Sequence, residues 1–187
     1  MSGPVYGQAE RQALLGLARE AIASALKGGR SERTEGLPTA FEERRGAFVS
    51  LHRRKTGELR GCIGYIEPHF ALRETVTRAA QAAALEDNRF EPVAEAELSE
   101  IAIEISVLSL PEPIVPEAVE VGVHGLIVAM GRRRGLLLPQ VATDQGWDRE
   151  TFLDHTCLKA GLPPGSWRRE GVVLQGFTAE VFGEDER

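Results

Sequence analysis

Apolar residues recur at helical spacing in three parts of the chain. Along residues 6–27, leucine, isoleucine and alanine return every three or four positions, which predicts a helix that buries one face. Residues 71–85 repeat the spacing with many alanines, so a second helix is predicted to pack closely against a sheet. Asp148 is suited to be the N-cap of a third helix, which is predicted to run to about Lys159.

Elsewhere apolar and polar residues alternate, and alternation predicts half-buried strands. Residues 46–52 and 58–66 flank a turn and form a predicted hairpin, and residues 100–108 alternate strongly. Prolines at 111, 113 and 116 are expected to prevent regular structure across that stretch. The other predicted strands lie in the second half of the chain, at residues 121–124, 126–130, 136–138 and 171–180.

Hairpins mixed with about three helices indicate an α+β domain with a mainly antiparallel sheet. The chain has 187 residues, of which 42% are hydrophobic, enough for a substantial core in a single domain, 1–187. Its acidic end, residues 184–187, is expected to fray. Apolar runs are far shorter than the roughly 20 residues that span a bilayer, and no signal peptide is recognised. A cytoplasmic protein without a membrane partner is predicted.

The formal net charge of −6 at pH 7 argues against nucleic acid as the main partner, because phosphate binding depends on lysine and arginine. Arginines 132–134 are the exception, and they are predicted to form a solvated hairpin turn. Cys62 and Cys157 are predicted to be thiols rather than a disulfide. Because the four histidines are scattered and the cysteines unpaired, no metal site is predicted. His52 and His69 are expected to be exposed.

The best candidate for chemistry is the segment Leu59-Arg60-Gly61-Cys62-Ile63-Gly64. Alternation places Arg60, Cys62 and Gly64 on one face of the strand. Cys62 is a candidate nucleophile, because a nearby cation favours the thiolate and Arg60 lies about 7 Å along the same face. The alternative is that Cys62 is a small core residue. Arg60 would bind an anionic group or form an ion pair with Glu104, a charge in an otherwise apolar strand.

Further candidates have a structural alternative each. Glu104 is a candidate general base, and His124 is either a catalytic partner or a structural residue at a strand junction. Gly61 and Gly64 permit close approach of a ligand or of another strand. Gln140 would contact a ligand or satisfy backbone groups.

Six blocks of sequence occur in the order found in a known family. They are Leu59 to Gly64, Asp87-Asn88-Arg89-Phe90, Ile103-Glu104-Ile105-Ser106-Val107-Leu108, His124-Gly125-Leu126, Leu136 to Ala142, and Gly146-Trp147 followed by Phe152-Leu153 and Cys157 to Pro163. On these blocks, which span a core of about residues 10–183, the chain resembles the AmmeMemoRadiSam system protein A family, the AMMECR-type domain.

The resemblance implies an α+β fold of two unequal, interleaved subdomains with a cleft between them. It also implies Memo-type and radical-SAM proteins as partners. This chain lacks the clustered cysteines of a radical-SAM centre, so that chemistry would belong to the partner. The resemblance defines neither a reaction nor a cofactor. The leading hypothesis is an enzyme, or enzyme component, that uses Cys62 in a cleft; the alternative is a non-catalytic module that binds a small molecule or a protein.

Overall fold

A computed structural model describes residues 6–29 and 36–185. Contacts divide the chain into two compact units. The small unit is formed by Ser109–Ala179, and the large unit by the described residues before and after it. The two unequal units are therefore interleaved along the chain, as expected. None of the described helices is both long enough and apolar enough to cross a membrane.

Three long helices and two four-stranded sheets confirm the α+β class. In chain order the helices and strands are α1 (Gln8–Leu26), β1 (Ala47–Arg53), β2 (Leu59–Tyr65), α2 (Leu72–Leu85), β3 (Ile101–Leu108), β4 (Glu112–Pro113), β5 (Gly125–Met130), β6 (Arg133–Leu137), α3 (Pro139–Asp144), α4 (Arg149–Lys159), β7 (Val173–Phe177) and β8 (Ala179–Gly183).

The large unit contains a sheet with the strand order β2-β1-β3-β8. Strand β1 is antiparallel to both β2 and β3. Its alternate residues Val49 and Leu51, with Ile103 and Ile105 of β3, are fully or almost fully buried in one core with the apolar faces of α1 and α2. The alternation seen in the sequence therefore decides which face of this sheet the helices cover.

The small unit contains a sheet with the order β4-β7-β5-β6 and its own core. Asp148 caps α4 by accepting a hydrogen bond from the Thr151 amide over 2.8 Å. Cys157 of α4 is fully buried in this core, and burial raises the pKa of its thiol. Both cysteines are free thiols, as predicted.

Some of the predicted elements were wrong, and each error has a local cause. The strand expected at 171–180 is two strands in different sheets, separated at Thr178, whose amide donates to Ser109 Oγ over 2.9 Å. Residues 121–124 form turns rather than a strand. Proline does not exclude a short edge strand, so β4 forms at 112–113 in spite of Pro113.

Two stretches of charged residues make contacts that the sequence did not predict. The turn of the β5–β6 hairpin contains Gly131 and Arg132, whereas the next two arginines begin β6. In the acidic tail that was predicted to fray, Glu184 accepts hydrogen bonds from Arg19 at 2.6 Å and from Arg54 at 2.7 Å. Asp185 also pairs with Arg54. Residues 186–187 lie outside the described part. Helix α3, which begins at Pro139, was not predicted.

Candidate functional site

Cys62, Ser50 and Glu104 form a cross-strand row on the sheet face that the helices do not cover. Ser50 of β1 is in register with Cys62 of β2 on one side and with Glu104 of β3 on the other. Residues facing each other in this way have Cβ atoms about 5 Å apart. The Ser50 hydroxyl donates a hydrogen bond to Cys62 Sγ over 3.2 Å. The row thus places a half-buried thiol, a hydroxyl and a carboxylate side by side.

His52 adds an imidazole to this face, two residues along β1 from Ser50. Its Nδ1 lies 3.3 Å from the Gly57 carbonyl oxygen, so Nδ1 is the atom that donates. Its Nε2 is buried, has no hydrogen-bond partner among the described residues, and lies 3.9 Å from Glu104 Oε1. A protonated His52 would pair with Glu104, and a neutral one has Nε2 available to accept a proton.

Two side chains of the loop after α2 close the outer edge of β2 at Cys62. Asp87 Oδ2 accepts a hydrogen bond from the Cys62 amide over 2.8 Å, and Arg89 Nη2 donates to the Cys62 carbonyl oxygen over 3.2 Å. Both backbone groups of Cys62 therefore point away from β1, and such non-hydrogen-bonded pairs bring facing side chains close. This explains why Ser50 Oγ reaches the sulfur.

Asp87 and Arg89 also bind each other. Arg89 Nε lies 2.9 Å from Oδ1 of the carboxylate and Nη2 lies 2.7 Å from Oδ2. The Asp87 side chain is only 4% exposed. The hydrogen bonds from Arg89 hold the pKa of Asp87 well below its usual range, and the Cys62 amide acts in the same direction. The same pairing raises the pKa of Arg89. Asp87 is therefore a buried, charged anchor for the Cys62 backbone.

Arg60 does not pair with Glu104, so that expectation was wrong. His52 is in register with Leu59 and Leu51 with Gly61, which makes Arg60 the extra residue of a β-bulge and redirects its side chain. Its side chain is 7% exposed, and its guanidinium binds both carboxylate oxygens of Glu97, at 3.1 and 3.0 Å. These hydrogen bonds lower the pKa of Glu97.

The contacts of Arg60 hold the 91–97 segment on the edge of β2, because its Nη1 also donates to the Glu91 carbonyl over 2.8 Å. Binding of a ligand anion by Arg60 stays a prediction.

The two glycines of the motif make room for protein atoms. A Cβ on Gly61 would lie 2.2 Å from the Ala83 carbonyl oxygen of α2. On Gly64 it would lie 2.3 Å from the Phe48 ring. The close approach predicted for both is thus made by a helix and by an aromatic side chain, and a ligand-binding role for either stays a prediction.

The remaining candidates belong to the small unit. His124 Nδ1 accepts a hydrogen bond from the Glu120 amide over 3.0 Å, which closes a turn. Gln140 is exposed at the second position of α3. Their catalytic and ligand-binding roles remain predictions. Within residues 6–29 and 36–185, no group of three or more His, Cys, Asp or Glu side chains could hold a metal ion.

The structure therefore joins Cys62 and Glu104, and it adds four residues that sequence reasoning did not select: Ser50, His52, Asp87 and Arg89. Ser50 and His52 could be found only from the register of β1. Asp87 and Arg89 carried a signal, since they belong to one of the sequence blocks noted above, yet their contact with Cys62 depends on where α2 ends.

Comparison with known proteins gives a consistent result. The family model described as AMMECR1 matches residues 15–182. A protein of Methanothermobacter thermautotrophicus is 47% identical over 94% of this chain and 95% of its own length. Protein MJ0810 of Methanocaldococcus jannaschii is 46% identical over 81% of this chain and 79% of its own. The crystal structure of the uncharacterized protein PH0010 from Pyrococcus horikoshii matches 96% of this chain and 93% of its own, with 42% identity and a TM-score of 0.83.

Proposed function

The chain belongs to the AMMECR1 family, and we propose that it is a thiol-dependent enzyme, or the thiol-bearing component of one, with Cys62 as nucleophile. The single observation that carries the proposal is the hydrogen bond from Ser50 Oγ to Cys62 Sγ. A hydroxyl in this position is a hydrogen-bond donor to the sulfur, and the thiolate form of that sulfur is the attacking species. A cysteine that only filled space would need no such donor.

The proposed step is an addition or displacement at an electrophilic carbon. Sγ forms the new carbon–sulfur bond. In a displacement the electron pair of the bond that breaks leaves with the departing group, and in an addition the π-electron pair moves to the far atom of the double bond. The thiol proton goes to the Glu104–His52 pair, which shares this face of the sheet. Glu104 is thus proposed as the general base, the role that the sequence suggested for it. The histidine that assists it is His52, and not His124.

A non-catalytic binding module is the second candidate, and one observation favours it. Most residues of the motif contact other parts of the large unit, as a structural role requires. These residues are Arg60, Gly61 and Gly64, together with Asp87. In this version the polar face around Cys62 receives a ligand or a partner chain. The resemblance to the AmmeMemoRadiSam system protein A family implies Memo-type and radical-SAM proteins as such partners. Replacing Cys62 with alanine would then leave binding intact.

Alkylation separates the two candidates, because the chain supplies its own control in the fully buried Cys157. We expect iodoacetamide to modify Cys62 of the native protein at least about ten times faster than Cys157, which reacts only through opening of the small unit. Ser50→Ala should slow the reaction of Cys62 about five-fold, since one hydrogen bond is worth about 1 kcal/mol. Peptide mass spectrometry measures both rates, and the melting temperature shows whether the variant stays folded.

The opposite result has a clear meaning. If both cysteines react only as the protein unfolds, Cys62 is a core residue and the binding module is favoured. To find a substrate, native protein and Cys62→Ala are incubated with a metabolite extract and compared by intact mass. An adduct that forms only on the native protein supports the enzyme, and its mass identifies the electrophile.

A further inference from the structure

Arg89 presents one free end of its guanidinium next to Cys62. Its Nε and Nη2 are taken up by Asp87 and by the Cys62 carbonyl oxygen. Its Nη1 has no hydrogen-bond partner among the described residues, and the side chain is 55% exposed. Two N–H donors of a permanently charged, half-exposed side chain are therefore without a hydrogen-bond acceptor among the described residues.

These donors lie within electrostatic reach of the sulfur. Arg89 Nη2 is 3.2 Å from the Cys62 carbonyl oxygen, and standard bond lengths keep that oxygen within about 5 Å of Sγ. The guanidinium is thus within roughly 8 Å of the thiol, about one Debye length at physiological ionic strength. Charge on Cys62 also contributes to the raised pKa of Arg89.

Asp87 orients this guanidinium without covering its free end. Both carboxylate oxygens contact the Nε and Nη2 edge, and the carboxylate is buried. A planar fork held on one edge loses little conformational freedom when it binds a second anion. The free end of the guanidinium can donate hydrogen bonds to one or two oxygens of a carboxylate or a phosphate. Arg60, the cation selected from the sequence, has no comparable exposure.

We propose that Arg89 is an anion subsite beside Cys62, so that the substrate is an electrophile bearing a carboxylate or phosphate group. This inference rests on the proposed function of Cys62 and narrows its substrate class. It assigns to Arg89 the anion-binding role that the sequence suggested for Arg60.

Two alkylating reagents that differ in charge test the subsite. Iodoacetate and iodoacetamide react alike: Sγ bonds to the methylene carbon, iodide leaves with the electron pair, and the thiol proton passes to buffer. Arg89→Met is expected to lower the ratio of the iodoacetate to the iodoacetamide rate at Cys62 about five-fold at low salt. The effect should shrink to less than about two-fold at 1 M salt, where the Debye length is about 3 Å.

Arg78→Met is the matched control, because it removes an equal charge from a side chain of similar exposure, 50%, that pairs with Glu74. Its rate ratio should equal that of the native protein. Arg89→Lys, which keeps the charge but not the fork, should retain most of the ratio. In the native protein, inorganic phosphate or acetate at constant ionic strength should slow iodoacetate, and whichever anion protects Cys62 better identifies the preferred group.

The outcomes separate this inference from the proposed function. If neither reagent modifies Cys62 in the folded protein, the proposed function fails. If both react and Arg89→Met leaves their ratio unchanged, Cys62 is a reactive thiol but Arg89 is not its anion subsite. If Arg89→Met does not fold, the test is the protection experiment on the native protein. If neither phosphate nor acetate slows the reaction of Cys62 with iodoacetate, the subsite is overturned.

Discussion

Alanine at Gly61 is expected to lower the free energy of unfolding of the large unit by about 3 kcal/mol. The new Cβ would lie 2.2 Å from the Ala83 carbonyl oxygen and 3.2 Å from its carbonyl carbon. Both are backbone atoms of α2, so no side-chain rotation relieves the overlap and the helix itself has to move away from β2. Because α2 shares the main core with β1 and β3, that shift disturbs the packing of the whole unit.

Gly16→Ala is the control for this substitution. Gly16 lies within α1 and nothing lies within 4 Å of the position of its Cβ. Alanine should therefore stabilise the helix by about 1 kcal/mol, the difference in helix propensity. Thermal unfolding followed by circular dichroism is expected to show a fall of roughly 8 °C for Gly61→Ala and a small rise for Gly16→Ala. Equal melting temperatures for Gly61→Ala and the native protein would contradict the close approach of α2.

The second large effect is expected at Asp87. Asp87→Asn should cost about 2–3 kcal/mol at pH 7, because the charge that holds Arg89 and the Cys62 amide is removed from a buried position. Denaturant titration measures this loss. Alkylation of Cys62 in the variant shows in addition whether the thiol keeps its orientation when its backbone anchor is weakened.

The pH dependence of this loss has a definite sign. The pKa of Asp87 is lower in the folded chain than in the unfolded chain, where an aspartate titrates near about 3.9. Its stabilisation is therefore fully present above about pH 5 and is lost as the pH falls below about 4 towards the folded pKa. The difference in stability between native protein and Asp87→Asn should be largest near neutral pH and should shrink on acidification.

Asp148→Asn serves as the comparison, since Asp148 is an N-cap of α4 and asparagine caps a helix equally well. This variant should have the same denaturant midpoint as the native protein within experimental error. If Asp87→Asn were as mild as Asp148→Asn, or if its deficit grew at low pH, the buried ion pair with Arg89 would not be the source of the lowered pKa.

The sequence predicted local structure well wherever one periodicity continued without interruption. α1, α2, α4 and the strands β1 to β3 were found within one or two residues, because burial of one face repeats regularly along each. Prediction failed where the chain changes sheets, at Thr178, since only this one residue separates β7 from β8 and the sequence predicts a single strand there. Local composition carries no information about which sheet a strand joins.

For the candidate site too, the sequence identified some of the residues and missed others. The sequence singled out Cys62 and Glu104, because a thiol beside glycines and a charge in an apolar strand are conspicuous within their own segments. It assigned the wrong partner to Arg60, because a one-residue bulge in β2 reverses the direction that alternation predicts. It overlooked Ser50, His52 and Arg89, whose importance lies in contacts with residues distant in the chain.

The sequence by itself thus determined the family, the α+β class, the main helices and strands, and the residue around which chemistry is proposed. These follow from short-range periodicity, from capping and from ordered motifs. Only the tertiary structure decided that Ser50 faces Cys62, that Asp87 and Arg89 close the edge of β2, and that Arg60 is bound to Glu97. Strand register and the end point of α2 set those contacts, because they fix which distant side chains share a face or an edge of the sheet.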